Sequence, residues 1–474
     1  MRACDERVPA DRPGAGEVRR AMQPQENDRS RAAWLPGILA FSVALAVYLS
    51  NGREMGTYDT EPTSLLVQAL AHGDGLVLDR FAPTLREPDG RLPDYVARKH
   101  GHLVSRYPVA PALLALPLTI PQRWWLNTTK HGWNSVLLAE RSHGRWMAKN
   151  SAAILAALAA GLLPGLLRQL GLSSGAFVAV IAFAFGSTFW TISSQALWQH
   201  GPAVLCLIVA LRALAVPEQG WWRLVLGGVA TGLMVASRSP DMIFALAILA
   251  WVVRSQRGGS LWFLGGSVPV FAALIAYNFA WFGTPLGGQA ELEALHPELH
   301  GVSGPWTWNL LPGLLGTLLS PSRGLFVFMP WVVVVLALLP LALPRLRALP
   351  LVPWLLGGLV AYTVLLSAYT VWWGGFCYGP RYWTDTTPLL AILLAGVACE
   401  LKGRWRLAWL PLGAGLVGAV LLQALGAWCY PSSWNLLPAN IDTHHERLWD
   451  WRDTEVTRCI QEKLLLVPWT PPGR

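Results

Sequence analysis

The sequence has little charge. Of its 474 residues only 14% are Asp, Glu, Lys or Arg, whereas 53% are apolar. So few charged side chains cannot cover several water-soluble domains, and the composition therefore excludes an ordinary soluble protein of this length. It predicts instead a chain that is largely surrounded by lipid.

Cysteine is also scarce. The six cysteines contain no CxxC pair, so the common zinc-site spacings are absent. Cys206 and Cys399 lie inside predicted helices, whereas Cys377, Cys429 and Cys459 fall outside them. A disulfide among these three would form in an oxidising compartment, but the sequence does not pair them.

Long apolar runs are abundant. A transmembrane helix needs about 20 mostly apolar residues, and we looked for windows of that kind without charge. They predict an all-α polytopic membrane protein with about 11 transmembrane helices. The segments are 34–50, 148–167, 174–191, 200–216, 222–237, 241–254, 261–282, 326–343, 352–371, 384–401 and 407–428.

The positive charges predict the topology. The net charge is +9, but the basic residues do not form one patch that would indicate nucleic acid. By the positive-inside rule the short loops that contain them are cytoplasmic. We therefore expect residues 1–33, a polar and disordered tail, to be cytoplasmic and the tail 430–474 to be external. The basic residues in or beside these loops are Arg168, Arg212, Arg223, Arg254, Arg257, Arg345, Arg347, Lys402, Arg404 and Arg406.

This topology predicts three external loops, 51–147, 283–325 and 372–383. The first is the longest, and we expect it to carry short surface helices. Within it the stretch 109–120 is apolar, but it is short and interrupted by prolines, which indicates a re-entrant or interfacial segment. Counting it as a span would place the Arg-rich loops outside.

Two carboxylates, Asp59 and Glu61, follow the first predicted helix directly. A carboxylate at the membrane surface can act as a general base toward a hydroxyl group, which contributes about 10²- to 10⁴-fold to a rate. Asp59 could equally cap the helix that follows it, a common use of Asp at such a position. The local sequence leaves both interpretations open.

The loop 372–383 combines glycine, aromatic side chains and one cation, Arg381. Glycine permits close approach of the backbone, and an arginine can bind a phosphate with two parallel hydrogen bonds. Tyr378 and Trp373 lie in the same stretch and are further candidates for substrate binding. The alternative for Arg381 is a structural ion pair with Asp385, one turn later.

Other polar residues occur at the predicted outer ends of helices. Gln199 and His200 begin one helix, and Arg238 and Asp241 lie in a tight turn between two others. A charge at the bilayer centre costs about 2.5–3.5 kcal/mol, so Arg238 and Asp241 are predicted to line a polar cavity or to pair with each other. Arg106 and Tyr107 in the first loop complete the candidates for substrate binding, and no metal ligands are predicted.

At this point the sequence resembles the GT-C glycosyltransferases, including protein O-mannosyltransferases and the aminoarabinose transferases of lipid A. An acid just after the first helix, a long first loop and about eleven helices are shared with that class. More specifically, the chain looks like a group of bacterial GT-C-like membrane proteins. The similar runs are SRYPVAPALLALP (105–117), LWQHGPA (197–203), SPSRGLFVFMPW (320–331), YGPRYWTDTTPLL (378–390), and NLLPANID with RLWDWRDTE (435–455).

The resemblance implies a GT-C-like transmembrane domain over 34–429, in a multi-pass protein of the bacterial inner membrane. It implies that a polyprenyl-phosphate sugar is the donor and that membrane lipids surround the protein. Asp59 would deprotonate the acceptor, a lipid, glycan or protein, and Arg381 would hold the departing phosphate, with inversion at the sugar. Because Thr60 separates Asp59 from Glu61, the resemblance leaves open which of them is the base and whether a divalent cation is used.

Two other functions remain as alternatives. A transporter or flippase of lipid-linked sugars would place polar residues along its helices through the bilayer midplane, whereas the charges here cluster at predicted outer ends. A catalytically silent relative that acts in assembly would keep the fold without transfer. Only a measurement of activity separates the silent relative from the enzyme.

Overall fold

The computed structural model describes residues 34–87, 89–129, 137–215, 220–256, 258–301, 304–403 and 406–464. The predicted disordered tail 1–33, the basic residues Arg257 and Arg404, and the last residues of the predicted external tail lie outside this part of the chain. The described residues are mostly helical. In chain order the helices are α1 Trp34–Leu49, α2 Glu61–His72, α3 Ala110–Thr129, α4 Leu137–Gln169, α5 Ala176–Ala184, α6 His200–Leu214, α7 Trp221–Ser237, α8 Met242–Ser255, α9 Ser260–Phe282, α10 Gly288–Leu295, α11 Pro297–His300, α12 Leu310–Leu319, α13 Leu325–Phe328, α14 Trp331–Arg347, α15 Val352–Ala368, α16 Thr387–Leu401, α17 Trp409–Cys429 and α18 Glu455–Cys459.

Several of these helices are apolar and long enough to cross a membrane. They are His143–Gln169 within α4, Ser260–Phe282, Arg381–Leu401, which is α16 with the 3₁₀ turn before it, and Arg406–Cys429. Shorter apolar helices accompany them, among them α1, α6, α7 and α15. The chain is therefore an integral membrane protein, as the composition predicts. The number of spans stays a prediction.

Each of the eleven apolar segments contains a helix, but in one of them the helix ends well before the segment does. In the predicted segment 174–191, α5 ends at Ala184, and a π-helical turn follows at Phe189–Ser193. The indole nitrogen of Trp331 in α14 donates a hydrogen bond to the carbonyl oxygen of Gly186 at 2.7 Å. A continuous helix would need that carbonyl for the amide of residue 190, so the contact between helices replaces the regular ladder here.

The first loop differs from expectation in α3. The sequence predicts a short apolar segment interrupted by prolines over 109–120, whereas α3 runs for 20 residues and includes Pro117 and Pro121. Proline removes a helical hydrogen bond, and contacts with neighbouring helices offset that loss. Thr119 and Gln122 of α3 both hydrogen-bond to the hydroxyl of Ser151 in α4, each at 3.1 Å.

The first loop also contains a β-hairpin, which the all-α prediction missed. Strands β1 Val96–Lys99 and β2 His102–Ser105 pair in antiparallel fashion. The two residues between them, His100 and Gly101, have φ angles of 51° and 85°, the left-handed conformation that a tight hairpin turn requires. The hairpin ends at Ser105, two residues before Tyr107.

Loops from distant parts of the chain meet on one side of the helix bundle. Asn51 donates hydrogen bonds to the Gln195 side chain and to the Ala427 carbonyl, each at 2.6 Å. Arg323 donates to Trp373 O at 3.0 Å and pairs with Glu455. We call this side, formed by residues 51–60, 195–199, 320–324, 369–380 and 430–455, the loop face.

A disulfide connects the C-terminal segment to the bundle. Of the three cysteines that the sequence leaves unpaired, Cys429 at the end of α17 is bonded to Cys459 at the end of α18, and their Cα atoms are 5.7 Å apart. Cys377 is free and buried. The disulfide holds the segment after α17 to the end of that helix, and the Arg323–Glu455 pair holds it to residues 320–324.

The most central of the long helices is α16. In an apolar stretch of 18 residues within Arg381–Leu401, 89% of the residues are buried inside the protein, against 17% for such a stretch of Ser260–Phe282. α16 is therefore surrounded by other helices, while α9 lies at the periphery. The turn Arg381–Thr386 begins this central element at the loop face, so the residues on it are held by protein on several sides.

Candidate functional site

Asp59 and Arg381 lie together at the loop face. A guanidinium nitrogen, Nη1, of Arg381 donates to Asp59 Oδ2 and forms an ion pair with it. The Asp59 side chain is 30% exposed and that of Arg381 is 10% exposed. The predicted base and the predicted phosphate ligand are thus in direct contact, and the Asp59 side chain is partly accessible.

Tyr107 is the second partner of Asp59. Its hydroxyl donates to Asp59 Oδ1 at 2.6 Å, so the two oxygens of the carboxylate have different donors. The β-hairpin and the start of α3 position Tyr107, and its own backbone amide donates to the hydroxyl of Ser105 at 3.0 Å. Three predicted site residues, Asp59, Tyr107 and Arg381, are therefore adjacent.

These contacts change the pKa of Asp59. Burial by itself raises that pKa, but the charge of Arg381 and the hydrogen bonds from Tyr107 and Arg381 lower it by more, so it falls below its ordinary value. Asp59 is then a carboxylate over the whole neutral range. The same carboxylate, together with burial, raises the pKa of Tyr107, which keeps its proton and remains a donor.

Two aromatic rings surround the guanidinium of Arg381. Its carbon lies 4.7 Å from the ring centre of Trp198 and 5.2 Å from that of Tyr382, within the range of cation–π attraction. Its Nε is buried and has no hydrogen-bond partner among the residues that the structure describes. One donor of Arg381 is therefore left for a ligand.

Close packing brings the loop before Arg381 into this position. Gly374, Gly375 and Gly379 all have positive φ angles. A Cβ atom on Gly379 would lie 2.8 Å from the ring of Phe328, so no larger residue fits there without movement. The glycines of this loop do permit the tight approach that the sequence predicts.

A second charged cluster lies beside the first and is more deeply buried. Asp385 accepts hydrogen bonds from His200 Nδ1 at 2.8 Å and from Arg238 Nε, and Tyr362 Oη lies 2.9 Å from its Oδ2. Asp385 is 1% exposed, His200 2% and Tyr362 0%. His200 and Arg238, both predicted site residues, therefore meet at Asp385, while Tyr362 was not anticipated because an isolated Tyr in an apolar helix gives no signal.

Two ion pairs and one helix cap that the sequence offered as alternatives are wrong. Arg381 pairs with Asp59 rather than with Asp385. Arg238 pairs with Asp385 rather than with Asp241, whose Oδ1 is buried without a hydrogen-bond partner in the described part of the chain. Thr60, not Asp59, precedes the first residue of α2, and the Asp59 oxygens bind Tyr107 and Arg381 instead of capping that helix.

Glu61 lies outside the Asp59–Arg381 pair. It is buried, and its Oε2 accepts a hydrogen bond from Arg145 Nε of α4 at 3.0 Å. Burial raises the pKa of nearby Glu54, and Arg145, Glu61 and Lys149 act on it electrostatically. Lys149 is not among the site residues that the sequence predicts, although a lysine at the start of an apolar segment often indicates a functional site.

Lys149 is fully engaged with the protein. Its ammonium group donates to Tyr48 O at 2.8 Å, to Ser194 O at 3.1 Å and to Gln195 Oε1 at 2.6 Å. These three bonds use all of its donors. Lys149 therefore joins α1, α4 and the segment before α6 underneath the loop face.

Three other predicted substrate contacts, Arg106, Tyr378 and Trp373, bond to other parts of the protein. Arg106 binds the carbonyl oxygens of Asp94 and Val96 at 2.6 and 2.8 Å, and also Glu291, so it fixes the base of the hairpin. Tyr378 is buried and donates to Leu422 O at 2.7 Å. Trp373 donates to Asp442 Oδ1 at 2.7 Å. Gln199 is half-buried directly before α6, next to Trp198 and His200.

The donor set around Asp59 does not match a metal site. Its neighbours are a cation and a phenol, and within the described ranges no three His, Cys, Asp or Glu side chains gather where they could hold a metal ion. We therefore assign no step to a divalent cation.

The fold and the site together define a helical integral membrane protein with a carboxylate–guanidinium pair at the loop face. No protein-family model and no curated protein matches this chain. Among solved structures, the chain is similar to the crystal structure of ArnT from Cupriavidus metallidurans bound to undecaprenyl phosphate. The sequence identity is 16% and the TM-score is 0.46, and the match covers 90% of this chain and 70% of that one.

Proposed function

We propose that the protein is an inverting glycosyltransferase that moves a sugar from a polyprenyl-phosphate carrier to an acceptor hydroxyl or amine at the outer face of a bacterial inner membrane. The observation that carries the proposal is the contact between Asp59 and Arg381. A base and an anion ligand for one transfer reaction have to lie within the length of a sugar of each other, and these two residues do.

In the proposed reaction Asp59 accepts the proton of the acceptor, and the acceptor oxygen or nitrogen forms a bond to the anomeric carbon. The bond between that carbon and the phosphate oxygen breaks, and polyprenyl phosphate leaves with the electron pair. Attack opposite to the leaving group inverts the anomeric centre. The leaving phosphate is a stable anion, so it needs cationic stabilisation more than it needs a proton.

Arg381 supplies that stabilisation in this proposal. Its Nε is unpartnered among the described residues, and its Nη1 donates to Asp59. A guanidinium can bind a phosphate through two parallel N–H groups. When the donor phosphate takes those groups, Arg381 loosens its hold on Asp59, so the carboxylate becomes free as the acceptor arrives.

The positions of the charges support an enzyme over a transporter. His200, Arg238 and Asp385 all lie at or next to helix ends, at the start of α6, the end of α7 and the start of α16. A transporter would need polar groups that continue through the bilayer midplane along its helices.

The test measures sugar transfer from radiolabelled polyprenyl-phosphate sugars by membranes that contain the wild type, Asp59→Asn or Arg381→Ala at matched expression. We expect transfer by the wild type. Asp59→Asn should transfer at least about 10²-fold more slowly, since 10² is the lower end of the rate factor that a general base contributes. Full activity in Asp59→Asn would overturn the assigned base. A wild type without transfer would favour the silent relative.

A further inference from the structure

Asp385 connects the two segments that enclose Arg381. On one side, its Oδ1 accepts a hydrogen bond from His200 at 2.8 Å, and Trp198 lies two residues before His200. On the other side, Asp385 belongs to the same 3₁₀ turn as Arg381 and Tyr382. The rings of Trp198 and Tyr382 are the two rings that contact the guanidinium. A single carboxylate therefore ties together the backbone segments that carry both rings.

Tyr362 strengthens this connection from a third element, α15. Its hydroxyl lies 2.9 Å from Asp385 Oδ2 and 3.0 Å from the carbonyl oxygen of Tyr382, so its single proton is shared between two acceptors. The guanidinium of Arg238 also pairs with Oδ2, and it lies 5.4 Å from the ring centre of Tyr382. Tyr382 is thus held through its backbone carbonyl and through its ring.

Asp385, His200 and Tyr362 are closed to a substrate. Asp385, His200 and Tyr362 are at most 2% exposed, and Arg238 is 9% exposed. A buried polar network of this kind is costly unless every group is bonded, and when its groups are bonded it makes the local structure rigid. Rigidity at this place acts on Arg381, the neighbour of Tyr382 and the residue that faces Trp198.

We infer that Asp385, with His200, Arg238 and Tyr362, is a positioning unit that fixes Arg381 between Trp198 and Tyr382 in the orientation that binds a lipid phosphate. The inference rests on the proposed role of Arg381 and deepens it. It gives His200 and Arg238, which the sequence identifies only as candidate substrate contacts, an indirect role through Asp385.

The sharpest variant is Tyr362→Phe, which removes one hydroxyl and leaves the ring. Its matched control is Tyr48→Phe, because Tyr48 is also fully buried and its hydroxyl donates to a backbone carbonyl, Ala184 O, at 2.9 Å. The assay is binding of decaprenyl phosphate, without a sugar, to the purified full-length protein in lipid nanodiscs. Arg381→Ala is measured in the same assay.

We expect Tyr362→Phe to weaken decaprenyl phosphate binding by about two- to tenfold, the factor that one intramolecular hydrogen bond contributes. Asp385→Asn should weaken it further, while Tyr48→Phe should bind like the wild type. In transfer assays Tyr362→Phe should raise the KM for the donor and leave the KM for the acceptor unchanged. A purely structural defect would instead lower the amount of active protein and change neither KM.

The outcomes separate this inference from the proposed function. If Arg381→Ala loses binding while Tyr362→Phe binds as Tyr48→Phe does, the positioning unit is overturned and the role of Arg381 stands. If Arg381→Ala binds decaprenyl phosphate as tightly as the wild type, the proposed function itself fails. Should Asp385→Asn not fold, Tyr362→Phe decides the question alone.

Discussion

Asp59 and Arg381 form an ion pair although 322 positions of the chain separate them. One follows the first helix and the other begins the most enclosed helix of the bundle. Each satisfies the charge of the other, so a phosphate that takes Nη1 of Arg381 competes with Asp59.

Replacing Asp59 with Asn should separate binding from transfer. The variant loses the base, so transfer should fall by about 10²- to 10⁴-fold. Arg381 loses its competing carboxylate, so decaprenyl phosphate should bind more tightly than to the wild type. Equilibrium binding and transfer rates measured on one preparation check both effects.

The control for this variant is Asp89→Asn, which breaks another Asp–Arg pair, with Arg91, in the first loop. It should change neither quantity. A parallel loss of binding and transfer in Asp59→Asn would mean that Asp59 is needed to hold the site together, and the competition between carboxylate and phosphate would be wrong.

Tyr107→Phe should move the pH dependence of transfer. The hydroxyl of Tyr107 donates to the ionised form of Asp59 and lowers the pKa of that carboxyl. Without the Tyr107 hydroxyl, the protonated form of Asp59 is favoured more and the pKa of Asp59 rises. As the pH is lowered, the variant should therefore lose activity at a higher pH than the wild type does. The dependence of kcat/KM on pH measures the shift.

Tyr58→Phe is a demanding control for that shift. Tyr58 is the residue before Asp59, and its hydroxyl donates to a different carboxylate, that of Glu87. The acidic limb of the pH profile of Tyr58→Phe should coincide with that of the wild type. An acidic limb of Tyr107→Phe that also coincides with the wild type would remove Tyr107 from the site.

Glu61→Gln should reduce transfer far less than Asp59→Asn does. Glu61 is buried and pairs with Arg145, whereas Arg381 pairs with Asp59. Loss of a general base slows transfer by at least about 10²-fold, and we expect Glu61→Gln to slow it by less than that. Transfer rates of the two variants at matched expression decide which carboxylate is the base, and the reverse ranking would assign that role to Glu61.

The Cys429–Cys459 disulfide should stabilise the loop face. It joins residues 30 positions apart, and closing a loop of that length contributes about 3–4 kcal/mol in the chain-entropy account. Reductant should therefore lower the thermal unfolding midpoint of the wild type. Cys459→Ala should start at the lower value and not respond to reductant.

Cys399→Ala serves as the control, because Cys399 is a free cysteine away from the loop face. It should keep the full response to reductant. A wild type whose unfolding midpoint is the same with and without reductant would show that the disulfide does not form in the purified protein.

The sequence predicted local features well where one segment alone determines them. Each apolar segment became helical because it can bury its backbone polar groups only by bonding within itself. α5 stopped early and α3 continued through two prolines because bonds to neighbouring helices, from Trp331 to Gly186 and from α3 to Ser151, outweighed local preference. No pattern within either segment carries that information.

The candidate site shows the same division. Position at the ends of apolar helices, where charged and polar groups are costly without a purpose, together with the resemblance to GT-C transferases selected Asp59, Tyr107, Arg238, His200 and Arg381. The selection also included Tyr378, Trp373 and Arg106, whose hydrogen bonds go to Leu422, Asp442 and the base of the hairpin. An aromatic or basic residue near the site in sequence can be bonded to another part of the protein.

By itself the sequence determined that this is a helical membrane protein and which side chains had to find partners in it, since both follow from solvation of single segments and single groups. Only the tertiary structure decided the partners. Arg381 bonds Asp59 rather than Asp385, four residues away, because the central position of α16 brings α6, α7 and α15 around Asp385 and leaves Arg381 facing the first loop. Long-range packing, which depends on all the helices together, made that choice.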